Sequence, residues 1–327
     1  MFSEGGGMKE HATRLALIQQ LSDGTFHSGE VLGELLGISR AAISKHIKTL
    51  QTWGLDIYRV QGKGYCLAEK LELLDCDKIL AQVKCPHLSL IPVIDSTNQH
   101  LLDRVGQLPS GAVCLAEYQQ AGRGRRGRQW LSPFGSNLYL SMYWRLDAGM
   151  AAAMGLSLVV GIAIADTLTA LGAQDIKLKW PNDLYFQDKK LAGILTEMTG
   201  QAGDAAHLVI GMGLNIAMPT KEGSEIDQAW TNLADACDTL PSRNVLAATL
   251  VERLHTTLTE YEVCGLEGFI TRWNEYDNFL NRPVKLLIGE RVVEGIARGI
   301  DKQGGLLLET EQGITPYIGG EISLRGC

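Results

Sequence analysis

The sequence predicts an α+β protein of three modules: helices and a hairpin over residues 1–72, a mixed β-sheet with helices over 73–279, and short strands alone over 280–327. Three observations carry this prediction. Helical periodicity with capping residues opens the chain and gives way to a glycine-centred hairpin. Alternating apolar runs and longer helical ones then interleave, and beyond residue 281 only short runs between turn residues remain, as in a small terminal β-barrel of SH3-like size.

At 327 residues, with 45% hydrophobic and 20% charged content, the chain reads as a soluble globular protein of two or three domains. Its net charge of −7 argues against wholesale coating of nucleic acid, so DNA contact has to come from a local basic surface. The seven cysteines, at 66, 76, 85, 114, 237, 264 and 327, form no C-x-x-C pair and fit the reduced thiols of a cytoplasm, without zinc or disulfides. Residues 148–165 are uncharged, but their Ala and Gly content favours a buried core helix over a membrane span. No basic segment followed by an apolar one opens the chain, so export is not suggested. Residues 1–7 are glycine-rich and read as a disordered extension, with Met8 as the natural start.

Taken in order, Leu15, Leu17, Ile18 and Leu21 recur at helical spacing. Ser28 is the N-cap of a second helix that Gly37 ends, and Ser39 caps a third. In that third helix Ile43, Ile47 and Leu50 face inward, leaving Ser39, Arg40, Ser44, Lys45 and Lys48 on a basic outer face suited to a DNA groove. Residues 57–60 and 65–67, joined by Gln61-Gly62-Lys63-Gly64, make a hairpin, so this is a winged helix-turn-helix module. A linker over 69–77 leads to a strand over 90–94, then Asp95-Ser96-Thr97-Asn98 and a helix containing Leu101, Leu102 and Val105. Those polar residues serve equally as N-caps or as partners of a polar ligand head group.

After the apolar run 113–116 comes Gly122-Arg123-Gly124-Arg125-Arg126-Gly127-Arg128. Glycine permits close backbone approach to a ligand, and guanidinium forks match carboxylates and phosphates, so the segment reads as an anion clamp on a loop. Its letters satisfy G-x-G-x-x-G, yet Ser-Pro and Gly stand where that motif opens a helix, and no Lys-Ser or Lys-Thr follows as a Walker loop requires. A solvated arginine-rich loop or an RNA-binding patch stays open on these residues alone. Further strands are expected at 137–144, 176–180 and 208–215, a long buried helix at 150–171, and a hairpin of 184–186 with 191–198 around Gln187-Asp188-Lys189. Residues 218–230 are polar and irregular, 245–261 and 266–273 helical, and the last strands are 284–288, 291–299, 306–308 and 321–324.

The motifs Asp95-Ser96-Thr97-Asn98, Gln119-Gln120-Ala121-Gly122 through Arg128, Lys179-Trp180-Pro181-Asn182-Asp183 and Lys190-Leu191-Ala192-Gly193-Ile194 occur here in the order found in the biotin-protein ligase family. The chain resembles that family over essentially its whole length from Met8, and the winged helix points to bifunctional bacterial members that also act as the biotin operon repressor. The resemblance implies a central domain of class II synthetase type, in which the biotin carboxylate attacks the α-phosphate of ATP to give biotinyl-5′-adenylate and pyrophosphate. A lysine of the biotin carboxyl carrier protein of acetyl-CoA carboxylase then takes the biotinyl group. By the same resemblance Lys190, Arg123 and Arg125 are catalytic, and Ser96, Thr97, Asn98 and Gln119 hold biotin. Gly124, Lys179, Asn182 and Asp183 serve ATP, with Asp183 at Mg2+, and Trp230 belongs to a loop that closes over adenine. The implied partners are operator DNA and, with adenylate bound, a second copy of the chain, with Arg126 a candidate for pointing across that interface; no membrane is implied. A transcription factor that senses biotin without ligase activity is the alternative, and Lys190 with the 179–183 motif favours the enzyme, since a sensor has no need of triphosphate or metal groups.

Overall fold

The computed structural model describes residues 4–201, 204–318 and 322–326. Helix α1 (Glu4–Leu21) starts inside the segment expected to be a disordered extension; residues 1–3 of that segment lie outside the described residues, as does Cys327. Ser28 Oγ accepts from the Val31 amide at 3.1 Å to start α2 (Gly29–Leu36), and Gly37, at φ 66°, ends it. Ser39 Oγ accepts from the Ala42 amide at 3.2 Å to start α3 (Arg40–Thr52). The wing pairs β1 (Ile57–Val60) with β2 (Gly64–Leu67), antiparallel. Gly64, at φ 106°, lies so close to the His27 backbone that a Cβ has no room.

Leu17, Leu21, Leu32, Ile43, Ile47 and Leu50 fill the core of this first module, and Phe134 of the second module belongs to the same core. The Trp53 ring stacks on Tyr118 at 5.2 Å and on Phe134 at 6.0 Å, and the Phe134 amide donates to the Trp53 carbonyl at 2.7 Å.

The central module follows α4 (Cys76–Leu80), capped by Asp75. Its strands are β3 (Leu88–Leu90), β4 (Val93–Ile94), β5 (Val113–Ala116), β6 (Tyr118–Gln119), β7 (Asn137–Leu146), β8 (Lys177–Lys179), β9 (Asp183–Phe186), β10 (Lys189–Thr199) and β11 (Ala206–Asn215). Seven form one sheet in the order β3-β5-β7-β11-β10-β9-β8, antiparallel except for β3 with β5. The strand expected at 90–94 is split, because the Ile91-Pro92 step ends pairing with β5 and hands the chain to a separate β4-β6 pair. That pair carries Gln119 and leads straight into α5 (Thr97–Leu102).

The helix expected at 150–171 is shorter. Met150–Ala153 is a 3-10 turn, Gly155 sits at φ 82°, and α6 (Leu156–Ala170) follows. By length and composition Met150–Ala170 could cross a membrane, but α6 lies in the core between the sheet and α7 (Arg243–Cys264). The β9-β10 hairpin turns on Gln187 (φ 48°) and Asp188 (φ 59°), which gives the two left-handed residues of a tight hairpin.

Residues before α4 are sewn to α7. Glu72 accepts from Ser242 Oγ at 2.6 Å, from the Arg243 amide at 2.7 Å and from Asn244 Nδ2 at 2.9 Å. Burial raises the pKa of its carboxyl, but these hydrogen bonds and the Arg243 charge outweigh burial and hold it below the usual value. A carboxyl depressed by folding stabilises above its unfolded pKa and loses that contribution as pH falls through the folded one. Acid unfolding of Glu72→Gln is therefore expected to show a flatter loss of stability below pH ~4.5 than the parent, measured by urea melts across that range.

After α8 (Ile270–Tyr276) comes a five-stranded antiparallel sheet in the order β15-β14-β13-β12-β16. Its strands are β12 (Pro283–Ile288), β13 (Arg291–Ile300), β14 (Leu306–Thr310), β15 (Gly313–Tyr317) and β16 (Ile322–Gly326). Strand β15 was not anticipated: it is an exposed edge strand containing Pro316, so it has no apolar alternation. Of the run expected at 321–324, Glu321 lies outside the described residues. Trp180 Nε1 donates to the Gly304 carbonyl at 2.9 Å and ties this sheet to the central one.

Candidate active site and DNA face

The cleft opens where α5 begins, β6 ends, the arginine-rich loop folds over and β9, β10 and β11 run beneath. Ser96 Oγ accepts from the Gln99 amide at 3.3 Å, so Ser96 is the N-cap of α5 as well as a wall of the cleft. Thr97 donates its amide to Gln119 Oε1 at 3.0 Å, and Gln119 Nε2 donates to Ser132 Oγ at 3.0 Å. Asn98, 4% exposed, donates Nδ2 to Glu197 Oε2 at 2.8 Å. The structure thus brings Ser96, Thr97, Asn98 and Gln119 into one buried polar corner.

The loop over this corner is shaped by glycine and by one strained arginine. Gly124 donates its amide to the Arg128 carbonyl at 2.7 Å, and Arg126 (φ 58°) and Gly127 (φ 71°) make the left-handed tip. Arg123 lines the cleft with a partner already in place: its Nη2 donates to Glu197 Oε2 at 2.6 Å. Arg125 Nη1 donates to Asn182 Oδ1 at 2.9 Å, while Asn182 Nδ2 donates to the Ile194 carbonyl at 2.7 Å. Burial and then the neighbouring Arg126 charge lower the Arg125 pKa, with Asp183 opposing them. A guanidinium starts so high that it stays charged.

Lys190 Nζ lies 3.0 Å from Asp183 Oδ1, with both side chains 15% exposed, and 5.5 Å from the centre of the Trp130 ring. Lys179 Nζ donates to the Tyr185 hydroxyl at 3.0 Å. Lys190 also holds the 218–230 segment by its backbone, donating to the Ala229 carbonyl and accepting from the Thr231 amide. That places Trp230 beside it, with the indole N–H on the Gly223 carbonyl at 3.1 Å.

Glu197, Ser141 and Trp130 escaped the sequence reading. Trp130 lies over Gly193 and Gly213, where a Cβ on Gly213 would overlap its ring. The signal for it was the pair of glycines facing each other across β10 and β11. Among the described residues no group of three or more His, Cys, Asp and Glu side chains is arranged to hold a metal.

On the first module, Arg40, Lys45 and Lys48 are exposed along α3, Ser44 is half-buried, and Ser39 is exposed while capping the helix.

Comparisons with known proteins fit this geometry. Residues 13–66 match an HTH domain model, residues 90–215 the biotin/lipoate A/B protein ligase family, and residues 279–325 the biotin protein ligase C terminal domain. The chain is 58% identical over 320 residues to the bifunctional ligase/repressor BirA of Escherichia coli, covering 98% of this chain and 99% of that one. It is likewise 58% identical to the BirA of Salmonella typhimurium. Among solved structures, biotin protein ligase from Aquifex aeolicus in complex with biotin and ATP superposes with a TM-score of 0.64 at 31% identity, covering 74% of this chain and 99% of that one.

Proposed function

The chain belongs to the biotin-protein ligase family, in its bifunctional ligase/repressor branch, and from that premise we infer what its cleft and its basic helix each do. The protein is an ATP-dependent ligase that activates biotin and transfers it to a biotin carboxyl carrier substrate, and it represses through its helix-turn-helix module. The observation that carries the catalytic reading is the Lys190–Asp183 pair at 3.0 Å, half-buried in the cleft, with Asn182 of the Arg125–Asn182 pair next to Asp183 in the chain.

Two anions, the biotin carboxylate and the triphosphate, must meet in this cleft. Lys190, Arg123 and Arg125 offset their repulsion and stabilise the charge that grows as the carboxylate oxygen bonds to phosphorus and pyrophosphate leaves. Ser96, Thr97, Asn98 and Gln119 bind the biotin head group; Gly124, Lys179 and Asn182 line the phosphate path, and Trp230 closes over adenine. Asp183 Oδ1 is buried and lies 3.0 Å from the Lys190 ammonium, outside hydrogen-bonding geometry. Asp183 would hold Mg2+, which takes few protein ligands and would neutralise charge on the triphosphate. Mass spectrometry of a carrier domain incubated with protein, ATP, Mg2+ and biotin tests this; a carrier that gains no mass overturns it in favour of a biotin sensor.

For repression, Ser39, Arg40, Ser44, Lys45 and Lys48 form the groove-facing surface of α3. Lys45→Ala and Lys48→Ala are each expected to weaken operator binding and to reduce the slope of log K against log salt by about 1. Titrations at several salt concentrations measure it, and an unchanged slope moves the DNA face elsewhere.

The chain acts in the cytoplasm, where its six described cysteines stay free, and its carrier is that of acetyl-CoA carboxylase. Adenylate binding promotes a homodimer through the catalytic module. Strand β9 pairs with β10 only as far as Gly193, so among the described residues the outer edge of β10 beyond it has no strand neighbour, and the exposed tip of the arginine loop at Arg126 can share such an interface. Sedimentation at micromolar concentration is expected to show more dimer with biotinyl-adenylate than without, by about 5- to 150-fold in the dimerisation constant. Equal dimer fractions remove the coupling.

A further inference from the structure

We propose that Glu197 is a positioning residue that fixes the direction of the hydrogen bonds behind the biotin head group, so that Thr97 presents its hydroxyl oxygen to the ligand as an acceptor. The proposal rests on the reading of this corner as the biotin pocket.

The argument is one of donors and acceptors. Glu197, on β10 and paired with Arg123, takes Asn98 Nδ2 at 2.8 Å, and the Leu195 carbonyl takes the same amide nitrogen at 3.2 Å. Both partners accept only, so the Asn98 amide cannot be turned over, and its Oδ1 must face inward. There it lies 2.5 Å from Ser141 Oγ, which is fully buried on β7. Asn98 Oδ1 has no proton, so the single hydroxyl proton of Ser141 goes to it. Ser141 Oγ is thereby left as an acceptor, and Thr97 Oγ1, 2.8 Å away, is the donor that satisfies it. Gln119 Oε1 lies 3.1 Å from the same hydroxyl and has a second lone pair, but a proton sent there would leave the Thr97 and Ser141 oxygens facing each other at 2.8 Å with no proton between them, so the proton goes to Ser141. With its proton committed inward, Thr97 turns lone pairs toward the cleft.

A cyclic urea offers N–H donors at its ring nitrogens, and an acceptor at Thr97 is what one of them requires. The arrangement depends on a glycine as well: Gly211 on β11 stands opposite Ser141 and Leu195, and a Cβ there would collide with the Asn98 amide. Glu197 therefore acts on the ligand through three intervening side chains, and at the same time anchors Arg123 over it.

Glu197→Gln keeps the shape but can donate to Asn98, which lets the chain run in either direction. Ser141→Ala cuts the chain and leaves the Arg123–Glu197 pair intact. In pyrophosphate-release assays on the full chain, both variants are expected to raise the KM for biotin about tenfold or more, with the KM for ATP within about twofold of the parent. The penalty for methylating the ureido nitrogen that faces Thr97 should also shrink in both variants, because the acceptor it offends is no longer fixed. An unchanged biotin KM in either variant, an equal rise for biotin and ATP, or a methyl penalty as large as in the parent overturns the proposal. A parent that does not use biotin at all defeats the reading of the pocket instead.

Discussion

Lys190→Ala is expected to bind biotin with modest loss and to form adenylate about 10²–10³-fold more slowly. The reason lies in its surroundings. Its ammonium is held at 3.0 Å from Asp183 between the Trp130 ring and the β9-β10 ladder, so the charge is positioned before any ligand arrives. Removing it takes away stabilisation where negative charge accumulates, and it leaves the buried Asp183 carboxylate without its counter-charge. Pyrophosphate release under saturating ATP measures the loss of rate, and biotin titration the modest loss of binding. A parental rate of release would make Lys190 a bystander.

Arg243→Ala is expected to destabilise the protein by about 3–5 kcal/mol, the largest loss from any single substitution considered for this chain. Arg243 and Glu117 form an ion pair at 2.8 Å with side chains only 7% and 3% exposed. Arg243 also donates to the Asn137 carbonyl at 2.8 Å and the Glu72 carbonyl at 2.7 Å, and Glu117 accepts from the Leu74 amide at 2.6 Å. One pair therefore fixes the linker, the start of β7 and the approach to Gln119. Alanine leaves a carboxylate buried and alone, whereas the double variant Glu117→Gln, Arg243→Met removes both charges and should lose less. Urea denaturation of the three chains decides it: a double variant no better than Arg243→Ala would mean that the geometry of the pair, not the stranded charge, sets the cost.

Local chemistry in the sequence announced much of this fold. Ser28, Gly37 and Ser39 bounded α2 and α3 as their capping groups demand, and the turn expected at Gln187-Asp188-Lys189 closes on Gln187 and Asp188, with Lys189 already in β10. What stayed hidden is long-range. Nothing local tells that Ile91-Pro92 shifts the chain from one sheet to another, or that an exposed stretch, 313–317, completes an edge. In the site, residues with distinctive chemistry stood out: Lys190, Asp183 and the arginines meet in one cleft. Glu197 did not, because a lone carboxylate in a strand means little until Arg123, 74 positions earlier, is folded onto it. Glu117 and Arg243 were silent for the same reason, being 126 apart in the chain.

The stacking of Trp53 on Tyr118 and Phe134 carries a consequence for ancestry as much as for folding. Phe134 is 1% exposed and sits in the core of the first module, so the two parts are not beads on a string that could be cut apart without a scar. A descendant that shed its DNA-reading part would leave an aromatic face bare to water and invite clumping. In such a shortened lineage the residue at position 134 is expected to have turned polar or small, and in the laboratory a truncated chain should regain solubility on Phe134→Ser, with no change anywhere near Lys190.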